Sequence, residues 1–152
     1  MTNLLWQHAV KVLRAIGVFF LLWPFIPPIL RAFGFHSLPY ALEVPWTFTC
    51  HRFADRTIDL LGHKMPMCSR CAGISVGIGL GLIAGKPYWG PKAMWVWLIV
   101  ATGLMIADIY TLSADPHHVW HPSRLATGAL LAFPVAAAVS AIARREAARG
   151  AV

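Results

Sequence analysis

Four apolar stretches, over 15–30, 66–85, 93–112 and 125–143, occupy about half of this 152-residue chain and leave it few folds. The last three are close to the roughly 20 residues that carry a helix across the hydrocarbon core of a bilayer, and the first is shorter. Only 12% of the residues are charged, against about a quarter in an ordinary soluble domain, while 58% are hydrophobic. A surface so poor in charge cannot all face water, so lipid is the expected solvent. The sequence therefore predicts an all-α integral membrane bundle of about four transmembrane helices with a Cys/His-containing first loop. One membrane domain over 1–152 is the expected organisation.

Pro24, Pro27 and Pro28 lie in the first stretch and predict a kinked or broken end. No small-x-small cleavage pattern follows it, so it reads as an uncleaved anchor and not a signal peptide. The N-terminal flank (Lys11, Arg14), the second loop (Lys86, Lys92) and the tail (Arg144, Arg145, Arg149) are basic, which places both termini in the cytoplasm. Loops one and three then share the outer side. The net charge of +7 is spread over these flanks and forms no patch interleaved with aromatics, so nucleic acid is not an expected partner. The aromatic and apolar stretch 38–48 of the first loop is expected at the membrane interface or over the mouth of the bundle.

Two stretches carry ladders of small residues at a spacing of four: Gly73, Gly77, Gly81 and Gly85, and Gly128, Ala132, Ala136 and Ser140. That spacing puts each ladder on one helix face, and small residues let helix backbones approach closely in lipid. The second and fourth helices are expected to pack together, or one of them on a second copy in a homo-oligomer. The alternative is that glycine is simply common in membrane helices.

The chemistry-bearing residues are Cys50-His51 and Cys68-Ser69-Arg70-Cys71. Three cysteines are an odd number, which a purely structural disulfide framework would leave unbalanced. At a helix N-terminus the thiols of Cys68 and Cys71 feel the positive end of the helix dipole, and Arg70 adds to it. Thiolate is both a metal ligand and a redox nucleophile. Three sulfurs and one imidazole make a common zinc set, here Cys50, His51, Cys68 and Cys71, with iron as the other candidate. Adjacent ligands need a tight backbone turn, so His63 is the substitute for His51. Small buried hydrophobes are the alternative role for the cysteines.

Cys50-His51, then Arg56-Thr57, then Met65-Pro66-Met67-Cys68-Ser69-Arg70-Cys71-Ala72-Gly73 resemble the signature of a prokaryotic membrane-protein family, domain of unknown function 2085. Asp108, Arg124 and Gly128 are similar in position to later family residues. Arg52 stands where the family usually has glutamine, and Ile109 follows Asp108 in place of glycine. The resemblance implies a small polytopic protein of a prokaryotic cytoplasmic membrane and no particular reaction.

Asp108 is an ionisable group at a membrane helix end, and Arg124 at the start of the next helix is its expected partner. The pair reads either as a structural salt bridge or as a catalytic pair that handles protons or binds a ligand. His117, His118 and His121 form a second cluster in loop three that could approach the cysteines. Three functions follow as expectations. The first is a membrane protein with a zinc site joining loop one to the second helix, a metal-dependent enzyme if one ligand position stays open. The second is a quinone-linked thiol–disulfide oxidoreductase in which Cys68 and Cys71 exchange and Arg70 sits near the quinone. The third is a non-catalytic assembly subunit whose interface is the glycine ladders.

Overall fold

The computed structural model describes residues 2–86, 89–114 and 120–149. His117 and His118 lie outside the described residues. Among the described residues, six helices and one small hairpin form the molecule. The first helix, α1 (Thr2–Leu22), starts well before the apolar stretch and continues through a 3-10 turn, Trp23–Phe25, into α2 (Ile26–Ala32). The prolines stand at the breaks: Pro24 opens the 3-10 turn, and Pro27 and Pro28 open α2. Pro tolerates a first helical turn because its missing N–H would have no partner there anyway. Leu4–Ala32, Pro91–Thr111 and His121–Arg149 are each long and apolar enough to cross a membrane.

The stretch expected to start a helix at residue 66 differs. Pro66, Met67 and Cys68 end a strand, β2 (His63–Cys68), which pairs antiparallel with β1 (Thr57–Leu60). After α3 (Ser37–Thr47) in the first loop, the next helix is α4, which starts behind β2 and spans Ser69–Ala84, 16 residues. At 1.5 Å per residue it is about 24 Å long, short of a full hydrocarbon core. Two helices complete the bundle, α5 (Pro91–Ala114) and α6 (His121–Arg149).

The α4–α6 pair is the centre of the fold, and the ladders explain it. A Cβ added at Gly73 would lie 2.1 Å from the Leu125 carbonyl oxygen, and one at Gly128 would lie 2.4 Å from that of Arg70. At Gly77 and Gly81 it would meet backbone of Ala129 and Phe133 at 2.6 and 2.5 Å. Dispersion and backbone proximity hold helices together where lipid offers no hydrophobic drive. The opposite face of α4 carries Gly79, which meets Gly17 and Leu21 of α1 in the same way. Gly85 has another duty: it ends α4 in the left-handed conformation at φ 60°, donating its N–H to the Gly81 carbonyl. The Arg144 guanidinium donates to the carbonyls of Ala84 and Ile83, which the end of α4 leaves free.

Pro134 interrupts α6 from within. A proline has no N–H for the carbonyl four residues before it, here Leu130, and an unpaired carbonyl in lipid costs several kcal/mol, about as much as burying a bare amide. Trp97 of α5 supplies the donor: its indole N–H reaches the Leu130 oxygen at 2.8 Å.

The loop between α2 and α4 folds over one end of the bundle. Its first half is the helix α3, over most of the aromatic stretch 38–48. The Trp23 indole donates to the Leu42 carbonyl at 3.2 Å and ties α3 to the end of the first span. Glu43 is 2% exposed and ion-paired to Arg31 and to Arg52, both at 2.6 Å. Arg52 has a left-handed φ of 51°, which reverses the chain directly after Cys50-His51. The carboxylate thus anchors the turn that delivers Cys50. Replacing Glu43 by Gln removes the charge while both arginines keep access to water. An unfolding titration should show a loss of about 1–3 kcal/mol.

Candidate metal centre and its basic cavity

Cys50, Cys68 and Cys71 come from two separate chain segments. Cys50 follows the α3 helix, its N–H bonded to the Trp46 carbonyl at 3.0 Å. Cys68 ends β2 and stands at the N-cap of α4, and Cys71 lies in the first turn of that helix. The hairpin turn Leu61-Gly62, with φ of 55° and 78°, folds β1 back on β2 and holds Met65 and Met67 in a small core with Cys50 and Ala72. Phe25, Trp46, Ile58 and Leu60 pack against that core.

The three sulfurs lie within 4.8 Å of one another. In a tetrahedral zinc site with Zn–S near 2.3 Å, sulfurs stand about 3.8 Å apart, so the group needs only a small contraction to close on an ion. The Cys68 N–H donates to Cys50 Sγ at 3.2 Å. The Cys68 thiol is lowered to about 5. The largest cause is the hydrogen bond it accepts from the Cys71 thiol; burial opposes the shift, and the N–H groups of Cys71 and Arg70 and the Cys50 thiol add to it. The donor set therefore fits a thiolate-binding ion.

The two histidines weighed as fourth ligand are not part of this group. His51 is exposed and stacks on Phe53, with ring centroids 6.0 Å apart, although it lines the cavity beside the sulfurs. His63 begins β2 opposite Leu60. His121 opens α6, and its Nδ1 is buried without a hydrogen-bond partner among the described residues.

Asp108 joins three helices. It pairs with Arg70 of α4, accepts from the Ser123 hydroxyl at 2.6 Å, and lies 3.8 Å from Arg124 Nε. Arg124 is thus a partner, as its place at the head of α6 suggests, but the closer guanidinium is that of Arg70. The sequence gives Arg70 an effect on the thiols and, in the redox reading, a place near a quinone, but no pairing with Asp108. The signal for its larger role is position: the heads of α4 and α6 and the tail of α5 meet at one end of the bundle. Ser123 carries no sequence signal beyond lying next to Arg124.

A cavity of about 300 Å³ opens between these groups. The three cysteines, His51, Arg52, Arg56, Arg70 and Arg124 line its polar part, and Ile74, Met105 and Leu131 its apolar part. Thiols, guanidiniums and an apolar wall therefore share one space.

No solved structure matches the chain. An uncharacterised protein of Methanocaldococcus jannaschii is 38% identical over 42 residues, covering 28% of this chain and 27% of that protein. An uncharacterised protein of Methanothermobacter thermautotrophicus is 50% identical over 30 residues, covering 20% of this chain and 27% of that protein. The chain thus matches about a quarter of the length of each. A family model described as a predicted membrane protein matches residues 50–138, more than half of the chain and the whole span from the first cysteine through the α4–α6 interlock. The chain belongs to this family of membrane proteins, domain of unknown function 2085.

Proposed function

We propose that Cys50, Cys68 and Cys71 hold a metal ion, zinc by preference, at the end of the bundle where the folded first loop meets α4. The observation that carries this reading is the convergence of three sulfurs within 4.8 Å from two separate chain segments. Three thiolates leave one position of a tetrahedral ion to be filled from the cavity that all three line. His51 is the protein candidate for that position, since it borders the same cavity. With His51 bound the site is closed, and it staples the loop to the helix. With the position left to a ligand, the ion supplies Lewis acidity, and Arg70, Arg124 and Asp108 supply fixed charges beside it.

Elemental mass spectrometry of protein purified in mild detergent without chelator tests this. We expect about one zinc per chain in the wild type and none in a Cys68→Ser, Cys71→Ser variant. Metal-free protein in both cases sinks the reading. One observation favours a second reading: the lowered Cys68 thiol lies beside Cys71. Such a pair can form a disulfide, passing two electrons and two protons to a quinone. An alkylation shift that responds to quinone addition, in protein that carries no metal, would select it.

A further inference from the structure

The cavity beside the sulfurs holds more positive charge than the residues around it neutralise. Arg70 and Arg124 share the single carboxylate of Asp108. Arg124 is 5% exposed, and neither its Nε nor its Nη1 has a hydrogen-bond partner among the described residues. The Nε atoms of Arg70 and Arg56 are buried and unpartnered in the same sense. Arg56 lies over the Phe53 ring at 5.2 Å, and its one ion pair among the described residues is at 3.7 Å with the exposed Asp55. Arg52, the fourth guanidinium on this wall, is already committed to Glu43.

Buried guanidinium N–H groups are costly to leave unpaired, and they are kept where something accepts from them. Three such groups reach one cavity from three elements: the turn before β1, the head of α4 and the head of α6. A single flat carboxylate cannot face three directions. A tetrahedral oxyanion can, and arginine is the side chain that suits phosphoryl oxygens. The volume of about 300 Å³ is more than a bare phosphate needs. Ile74, Met105 and Leu131 offer the remainder an apolar surface.

We infer that this cavity binds a phosphoryl group, free or carried on a lipid headgroup, through Arg124, Arg70 and Arg56. The site goes beyond the metal reading and does not depend on it, since it stands on guanidiniums and not on sulfurs.

The test uses the full chain in mild detergent, both as purified and after treatment with chelator. Inorganic phosphate, dihexanoyl phosphatidic acid and dihexanoylglycerol are titrated in turn by calorimetry. At least one phosphate-bearing probe is expected to bind and dihexanoylglycerol is not. Binding of inorganic phosphate identifies a free anion as sufficient, and binding of phosphatidic acid alone identifies the lipid source. Arg124→Gln should weaken binding about tenfold or more, as loss of a charged hydrogen bond does. Because Arg124 is buried, Arg56→Gln is measured beside it; its side chain is 42% exposed, so this variant is not expected to disturb folding. Failure of both phosphate-bearing probes with the wild type overturns the inference, as does affinity unchanged in both variants. Phosphoryl binding by protein that carries no metal as purified supports this site while the metal reading fails. A zinc-loaded protein that ignores both probes does the reverse: it overturns this site and leaves the metal reading standing.

Discussion

Gly73→Leu is expected to unfold the bundle or drive α4 away from α6, with a loss upward of about 3 kcal/mol. The reason is the atom a side chain would meet. The first added carbon already lies 2.1 Å from the Leu125 carbonyl oxygen and 2.8 Å from its carbon. Those are main-chain atoms of a helix, so no rotamer change relieves the contact. The helices must part, and the close contacts at Gly77, Gly81 and Gly128 are loosened with them. Denaturant titration in mixed micelles reads the effect as a shift in the unfolding midpoint. Gly103→Ala is the matched control, because a Cβ there meets nothing within 4 Å. It should be neutral or gain up to about 1 kcal/mol from helix propensity. Equal effects of the two substitutions would show that the interlock does not hold the helices.

Asp108→Asn should be nearly as damaging, for an electrostatic reason. The carboxylate is the shared counter-charge of Arg70 and Arg124, whose side chains are 15% and 6% exposed. Asparagine keeps the shape and can still accept from Ser123, but it leaves two positive groups facing each other. Removing one partner from a buried charge network typically costs about 3–5 kcal/mol. A second change, Arg124→Gln, removes the excess charge and should recover part of the loss. The double-mutant cycle in the same micelle titration therefore has a large coupling term. Strictly additive losses would mean that the pair interacts weakly at 3.8 Å and that Arg70 alone matters.

Much of the bundle is legible in the chain because lipid enforces simple rules. Long apolar runs become helices, and a glycine every fourth residue marks a face that meets another backbone. Gly73, Gly77 and Gly81 read correctly on that basis. Gly85 continues the same arithmetic yet caps the helix, since the ladder count cannot see that the chain turns left-handed there. Gly79 is off the ladder and faces α1. The hairpin is hidden for a local reason: its turn is Leu61-Gly62, and leucine at positive φ is not the residue such turns advertise. With the turn unseen, Met65-Pro66-Met67 looks like the beginning of the apolar helix that follows. The sulfur cluster is legible as a set of thiols, but the partners around it are not. Glu43 and Arg52 stand nine residues apart, with a chain reversal at Arg52 that only the folded loop reveals.

Pro134 gives α5 its particular standing in the molecule. The two walls of the cavity made by α4 and α6 are locked backbone to backbone and have no room to yield. The third wall, α5, is fastened differently. Its polar ties to α6 include a bond from Trp97 to the carbonyl that Pro134 frees, and the Asp108 contacts with Ser123 and Arg124, eleven residues or about three turns further along. Between those two rivets its side chains mostly face lipid. Met105, three residues before the Asp108 rivet, lines the cavity. The chamber is therefore built from two rigid plates and one pinned plate.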